Sequence, residues 1–193
     1  MTRGPAIALL ELDGAPAGTV AADAMVKAAP IAAIRCGTVQ PGKYVILIDG
    51  GVAEVEESLR AGRRTAGAAL IDELLLPDVH PQVCDAIDAA RRSPSGDALA
   101  IVETQTLAAV LAACDAAVKG AAVEIVEIRL GDGLGGRGLA HLTGAVTDAQ
   151  AAVEIAQQSL ADRGAEGRAA VIPLLHDEVG ANVSQSTRFF GAP

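Results

Sequence analysis

Tryptophan is absent from the 193-residue chain, and aromatic residues of all kinds make up only 2% of it. Apolar residues nevertheless make up 51% of the sequence, which is enough to bury a core. Because aromatic side chains are so scarce, we expect that core to consist of alanine, valine, leucine and isoleucine. The length fits one medium-sized domain or two small ones.

The chain also lacks clusters of positive charge. Its formal net charge is −9, and no basic run is longer than the pairs Arg63-Arg64 and Arg91-Arg92. Proteins that bind nucleic acid or anionic lipid generally display a dense basic patch. The composition therefore predicts partners that are neither nucleic acid nor a membrane.

Long hydrophobic runs are missing as well. Asp23, Lys27, Glu103 and Asp115 interrupt the candidate runs before they reach the roughly 18 residues that a transmembrane helix needs. The first residues, "MTRGPAIALLELDG", contain an apolar segment that is too short for a secretory signal. We therefore expect a cytoplasmic protein.

Cysteine is scarce and is not arranged for bridging or metal binding. Cys36, Cys84 and Cys114 are odd in number, far apart and outside any C-x-x-C motif. This usage is typical of a reducing compartment. We expect each cysteine to act as a small apolar residue that packs in the interior.

What the sequence does contain is the same order of segments twice. The segment "AIALLEL" (6–12) corresponds to "ALAIVET" (98–104), and "AADAMVKAA" (21–29) corresponds to "ACDAAVKGA" (113–121), both 92 positions apart. The pairs "PGKYVILIDGGV" with "GGRGLAHLTGAV" and "LPDVH" with "IPLLH" follow at offsets of 94 and 96. A polar segment, "AARRSPSGD", connects the halves. We predict two domains, residues 1–92 and residues 93–193, the second with a C-terminal tail.

Each half has the pattern of a strand, a helix, two strands, a helix and a strand. A β-α-β-β-α-β unit is a ferredoxin-like arrangement, so the predicted fold class is α+β with two tandem domains. A short helix is expected after His80. The predicted strands are Ala6–Leu12, Ile31–Cys36, Tyr44–Ile48 and Ala69–Leu76 in the first half, and Ala98–Thr104, Val123–Leu130, Leu139–Leu142 and Ala169–Leu175 in the second.

These segments resemble those of bacterial microcompartment shell proteins. The resemblance rests on the opening strand with glutamate, on "ADAMVKAA", on the hairpin with "PGK", on "GGVAEVEESLRAG" and on the closing "LPDVH". Two copies in ordinary order are similar to the tandem-domain, non-permuted class of the propanediol-utilisation type. The resemblance implies a pseudo-hexagonal homotrimer that tiles shell facets beside other shell proteins. It also implies location in the microcompartment and a central pore for small polar metabolites.

The resemblance further implies which residues lie at the edge where tiles meet. In the family, the lysine of "ADAMVKAA" packs against its counterpart across a two-fold axis. The implied edge residues are Asp23, Lys27, His80, Asp115, Lys119 and His176. The alternative is that each lysine only pairs with the aspartate one turn earlier, an interaction worth about 0.2–0.5 kcal/mol. The family commonly places arginine inside the P-x-x-H segment, whereas this chain has Asp78-Val79 and Leu174-Leu175, which favours weaker tiling or mixed sheets.

The loop between the two central strands lines the pore in this family. The corresponding residues are Thr38, Val39, Gln40, Pro41 and Gly42 in the first half, and Gly131, Asp132, Gly133, Leu134, Gly135 and Gly136 in the second. A threefold axis would present three copies of the Gln40 amide and three of the Asp132 carboxylate, and a carboxylate ring disfavours anions. Some tandem shell proteins hold an iron–sulfur cluster through a cysteine immediately before Pro-Gly. Here that position is Gln40, which is no soft iron ligand, so we expect no cofactor and no metal.

Enzymatic interpretations are weaker. The segment "GDGLGGRG" contains G-x-G-x-x-G, but a strand follows it rather than the helix that a dinucleotide site requires. Glu11 and Glu103 occupy the same position of their own repeats, as do His80 and His176, for which a structural hydrogen bond is expected. His141 stands alone on a strand. We therefore expect no catalytic residues.

Two alternatives share this composition. The first is a trimeric ferredoxin-like module that binds a small metabolite and signals, and the second is a shell protein with an axial iron–sulfur cluster. Electron microscopy separates shell protein from sensor, since only the former forms hexagonal sheets or tubes. The tail "SQSTRFFGAP", with Phe189 and Phe190, lies outside the repeat and either packs on its own domain or docks elsewhere.

Overall fold

The computed structural model of the chain describes residues 4–88 and 90–188. Phe189 and Phe190 of the tail lie outside the described residues. By its contacts the chain divides into two compact units. The first runs to Val79 and includes Leu134–Gly136, and the second consists of His80–Gly133 and the residues from Arg137 onward.

The first unit is a four-stranded antiparallel sheet with two helices. The strand order in the sheet is β2-β3-β1-β4. The elements are β1 (Ala6–Asp13), α1 (Ala15–Ala28), β2 (Ala33–Val39), β3 (Lys43–Gly50), α2 (Val52–Ala66) and β4 (Leu70–Leu76).

Alternating side chains of the strands and the apolar sides of both helices form the core of this unit. Leu10 and Ile46 of the sheet are buried together with Met25 of α1 and Val55 of α2. The helices α1 and α2 approach closely at Gly62. A Cβ atom added at this position would lie only 2.6 Å from the Met25 sulfur, so a side chain there would clash. Small and aliphatic residues therefore replace the aromatic ones that the sequence lacks.

The second unit repeats this topology, with strand order β6-β7-β5-β8. It also contains α3, which follows the first repeat, and the C-terminal α6. The elements are α3 (Pro81–Ile87), β5 (Ala98–Thr104), α4 (Leu107–Gly120), β6 (Glu124–Leu130), β7 (Gly138–Gly144), α5 (Val146–Arg163), β8 (Gly167–Pro173) and α6 (Asp177–Gln185).

The α+β fold and the order of elements within each repeat agree with the sequence-based prediction. The C-terminal helix α6 was not predicted, and the other differences are in the ends of elements. The strand β2 begins at Ala33 and not at Ile31, because Ala33 is the first residue of β2 that pairs with β3, opposite Asp49. The strand β8 ends at Pro173 rather than Leu175, because Leu174 has a φ of 55° and leaves the extended conformation. The expected helix after His80 is α3. The division into domains after residue 92 stays a prediction about the sequence repeat.

Among the described residues, no helix has both the length and the apolar character needed to cross a membrane.

Candidate pore loops and assembly surfaces

The first predicted pore loop is the tip of the β2–β3 hairpin. Thr38 and Val39 are the last residues of β2, and a turn of three exposed residues, Gln40, Pro41 and Gly42, leads into β3. Gly42 has a φ of 128°, a conformation that glycine adopts without the strain that a Cβ atom introduces. The turn therefore presents backbone groups and the Gln40 amide to the surroundings.

The second predicted pore loop spans the seven residues between β6 and β7. Gly131, Gly133, Gly135 and Gly136 all have positive φ, so the glycines are required by the backbone. No helix starts in this loop, which is followed by the strand β7, and the arrangement is not a dinucleotide site.

Asp132 lies at the exposed tip of this loop and is paired. Its Oδ2 accepts a hydrogen bond of 2.7 Å from Nη2 of Arg188, and its carbonyl accepts one of 3.1 Å from Arg129. The positive charge of Arg188 offsets the carboxylate. The anion-disfavouring effect expected of Asp132 is therefore reduced by a neighbour that sequence reasoning did not connect with it.

Parts of the two predicted pore loops meet within the first unit, which includes Leu134–Gly136. Lys43 Nζ donates to the Gly136 carbonyl at 2.8 Å. A Cβ atom on Gly136 would lie only 2.8 Å from the carbonyl oxygen of Gln40. Only glycine fits this close approach.

An ion pair lies next to the turn of each hairpin. Glu11 of β1 is fully buried, and its Oε2 accepts a hydrogen bond of 3.1 Å from Lys43 at the start of β3. The corresponding Glu103 pairs with Arg137 at 2.7 Å, where both side chains are partly exposed. The two glutamates are thus equivalent structural residues and not partners in catalysis.

The predicted edge lysines each pair with an aspartate one turn earlier. Lys27 Nζ lies 2.6 Å from Asp23 Oδ2, and Lys119 Nζ lies 2.6 Å from Asp115 Oδ2. The first pair is exposed on α1, whereas Asp115 of the second pair is buried.

The predicted edge histidines are helix caps. His80 precedes α3, and its Nδ1 accepts a hydrogen bond of 3.3 Å from the backbone N–H of Gln82. His176 precedes α6, and its Nδ1 accepts a hydrogen bond of 3.3 Å from the backbone N–H of Glu178. The backbone N–H of His80 donates to Asp115 Oδ1 at 2.8 Å. These bonds satisfy amides at the first turn, as capping side chains do. Within residues 4–88 and 90–188, no group of three or more histidine, cysteine, aspartate or glutamate residues is placed to hold a metal ion.

A buried polar cluster in the second unit was missed by sequence reasoning. Glu127 of β6 accepts hydrogen bonds from Arg91 of the connecting segment and from Thr187, and its Oε1 lies 3.1 Å from His141 Nδ1. Burial by itself would raise the pKa of Glu127, but the hydrogen bonds from His141, Arg91 and Thr187 outweigh it and hold that pKa at about 2. Arg91 also donates to the Val183 carbonyl at 3.0 Å, so the cluster fastens both the connecting segment and the end of the chain to β6.

The cysteines have different environments. Cys114 is buried in α4, where burial and then the charge of Asp115 raise the pKa of its thiol to about 12, which makes it unreactive. Cys36 is exposed on β2, and the expectation that it packs in the interior is wrong. Its Sγ accepts a 3.3 Å hydrogen bond from the hydroxyl of Tyr44, a residue of the core.

Known proteins resemble this chain in both sequence and fold. The chain is 34% identical to the bacterial microcompartment shell protein PduT of Citrobacter freundii over 90% of this chain and 95% of that protein. It is 32% identical to the carboxysome shell protein CcmK3 of Halothece sp., over 38% of this chain and 76% of that protein.

Two solved structures have related folds. A crystal structure described as a microcompartment protein from Desulfitobacterium hafniense superposes with a TM-score of 0.79 at 40% identity, covering 91% of this chain and 98% of that chain. A fused permuted hexameric shell protein from the RMM microcompartment shares the fold, with a TM-score of 0.60 at 18% identity over 81% of this chain and 84% of that one.

The family described as BMC domain matches twice, over residues 6–79 and 98–174. These ranges coincide with the two sequence repeats and include every strand of both sheets. The chain belongs to the family of proteins built from BMC domains.

Proposed function

We propose that this protein is a structural subunit of a bacterial microcompartment shell, located in that compartment and not acting as an enzyme. The observation that carries the proposal is the tandem pair of BMC domains, each with the same sheet order and helices. The similarity to a shell protein over nine-tenths of the chain supports it.

In this proposal three copies form a closed ring that contains six BMC domains. A ring of identical subunits joined by one repeated interface closes with cyclic symmetry, and two equivalent domains per chain double the number of similar sides. The outline is then pseudo-hexagonal, the shape that fills a plane without gaps. Such tiles would join further copies or other shell proteins at their edges.

The edges in this proposal include Lys27 on the exposed side of α1 and its repeat counterpart Lys119. Replacing both lysines with alanine should abolish two-dimensional sheets while leaving the closed oligomer intact. The exposed pair of Lys27 with Asp23 stabilises the helix by only about 0.2–0.5 kcal/mol. Lys119 pairs with the buried Asp115, which keeps its hydrogen bond from the His80 N–H, and circular dichroism of the double variant checks that the fold is preserved. Negative-stain electron microscopy measures the sheets, and light scattering measures the oligomer.

The matched control is Arg60→Ala, which removes an exposed helical cation paired with Glu57 at 3.2 Å. It should leave sheets unchanged. Sheets that persist in the double lysine variant would contradict the edge assignment, and discrete oligomers of the unaltered protein without any sheets would favour a sensor instead.

The pore in this proposal is lined by the tips of the β2–β3 and β6–β7 hairpins. Arginine at position 40 would place a long cation at every copy of the exposed turn, so Gln40→Arg should slow the passage of small cations and change the passage of polar metabolites several-fold. The measurement is the turnover of an encapsulated reporter enzyme in assembled shells. Ala53→Arg, on the exposed side of α2, is the control with the same charge change. Equal turnover in both variants would remove Gln40 from the pore lining.

A further inference from the structure

The tip of the β6–β7 hairpin is a glycine-rich segment that needs contacts to hold one conformation. Four of its seven residues are glycines with positive φ, and glycine loses more conformational freedom on folding than any other residue. The N–H of Gly131 donates to the Arg137 carbonyl at 3.1 Å, and the N–H of Asp132 donates to the Leu130 carbonyl at 2.9 Å. The remaining restraint on Asp132 comes from side chains outside the loop.

Arg129, near the end of β6, connects this loop to the C-terminal end of the described chain. Its Nη1 donates to the hydroxyl of Thr187 at 3.2 Å and to the carbonyl of Thr187 at 3.3 Å. Its Nη2 donates to the Asp132 carbonyl at 3.1 Å. The Nε of Arg129 is buried and has no hydrogen-bond partner in the described part of the chain. The guanidinium thus contacts the tail and the loop together while its third donor group stays unsatisfied, which is a costly arrangement.

The tail is itself attached to the sheet before it reaches the loop. The Thr187 hydroxyl donates to the buried carboxylate of Glu127 on β6. Arg91 donates to the Val183 carbonyl at 3.0 Å, four residues before Thr187. The next residue after Thr187 is Arg188, whose side chain pairs with the carboxylate of the loop. The position of Arg188 is therefore fixed by groups on β6 and in the connecting segment.

The first repeat has no equivalent of Arg129. The sheet register makes Gly37 of β2 its counterpart, because Gly37 pairs with Val45 and Arg129 pairs with Leu139 at matching positions. A Cβ atom added to Gly37 would meet none of the described atoms within 4 Å. The contact between tail and loop is therefore a property of the second repeat and not of the repeated fold.

We propose that Thr187 and Arg188, acting with Arg129, fix the conformation and the charge of the β6–β7 hairpin tip. Thr187 and Arg188 lie outside both BMC domains, the second of which ends at residue 174. With two guanidinium groups beside one carboxylate, the tip does not repel small anions. This last step rests on the pore of the proposed function, in which the end of the chain would set what the second loop admits.

The conformational part can be tested without any pore. Hydrogen–deuterium exchange, read by mass spectrometry on peptides that contain the Gly131 and Asp132 amides, measures how often the loop opens. Arg129→Met should speed this exchange by about 10-fold, since it removes charge-assisted hydrogen bonds. Thr187→Val, which keeps the side-chain volume, should speed it by about 3-fold, whereas Thr187→Ser keeps the hydroxyl and should leave it unchanged. Peptides from β5 in the same samples check that the fold is intact.

The charge can be tested in assembled shells with two encapsulated reporter enzymes, one acting on a small carboxylate and one on a small neutral alcohol. Arg188→Ala should slow the turnover of the carboxylate several-fold relative to that of the alcohol, because it exposes the Asp132 charge. Arg188→Lys keeps the cation and should preserve the ratio. Arg92→Ala is the matched control, since the side chains of Arg92 and Arg188 are 43% and 40% exposed and each pairs with one aspartate.

Each negative result points to a different error. Unchanged loop exchange in both Arg129→Met and Thr187→Val overturns the conformational role of the tail, whatever the shells do. An unchanged carboxylate-to-alcohol ratio in Arg188→Ala, in shells where Gln40→Arg does alter passage, overturns the charge role. Unchanged passage in both of these variants contradicts the proposed pore and with it the charge role, while the exchange result still decides the conformational one.

Discussion

Replacing Lys43 with methionine should lower the free energy of unfolding by about 3 kcal/mol. The Glu11 carboxylate that Lys43 contacts at 3.1 Å is completely buried on β1, and burial of a charge without its partner is costly. Urea unfolding followed by circular dichroism measures the loss, which should fall on the first unit.

The repeat supplies a matched control, because Arg137 makes the same contact with Glu103 in the second unit. Both of those side chains are partly exposed, so Arg137→Met should cost no more than about 1 kcal/mol. A double variant, Lys43→Met with Glu11→Gln, should recover part of the stability because it removes the buried carboxylate charge. Equal losses for the two single variants would show that burial of Glu11 does not set the strength of this pair.

Neutralising Glu127 should make the protein less stable at pH 7, and the difference should disappear in acid. The pKa of this glutamate is held at about 2 in the folded chain, against about 4.3 for an ordinary glutamate. A lowered folded pKa contributes stability that is present above the unfolded pKa and is lost as the pH falls toward the folded pKa. Glu127→Gln should therefore be less stable by on the order of 3 kcal/mol at pH 7, and this gap should close between pH 4 and pH 2.

Glu124→Gln, on the same strand but exposed, is the control and should change stability by less than about 0.5 kcal/mol at pH 7. Denaturant unfolding of the unaltered and variant proteins at pH 7, 5, 4, 3 and 2 gives the two curves. A constant gap over this range would contradict a charged, hydrogen-bonded Glu127.

The fold could be predicted because each strand and helix is indicated twice, once in each repeat. A short apolar run such as Ala98–Thr104 is ambiguous alone, but its counterpart before a matching helix with Asp23 and Lys27 removes the ambiguity. The ends of strands were less predictable, since they depend on pairing partners. The start of β2 is set by Asp49 on β3, a residue outside the local pattern.

The positions of the hairpin tips followed from the sequence, but the polar cluster around Glu127 did not. Its members, Arg91, Glu127, His141 and Thr187, are far apart in the chain and match no spacing rule. The repeat gives no help either, because the counterparts of Glu127 and His141 in the first half are Arg35 and Leu47. Such a cluster is specified by sheet register and by the return of the chain end, which only the folded structure brings together.

In the proposed ring, the unequal lengths of the two hairpin loops would limit which solutes the pore can select. Three residues join β2 to β3, whereas seven join β6 to β7. The members of a sixfold set would have to be identical, so long and short loops must alternate around the axis. In such a pore, a solute with threefold symmetry would contact every copy of one loop at once, whereas a solute with sixfold symmetry would meet no set of six equivalent groups.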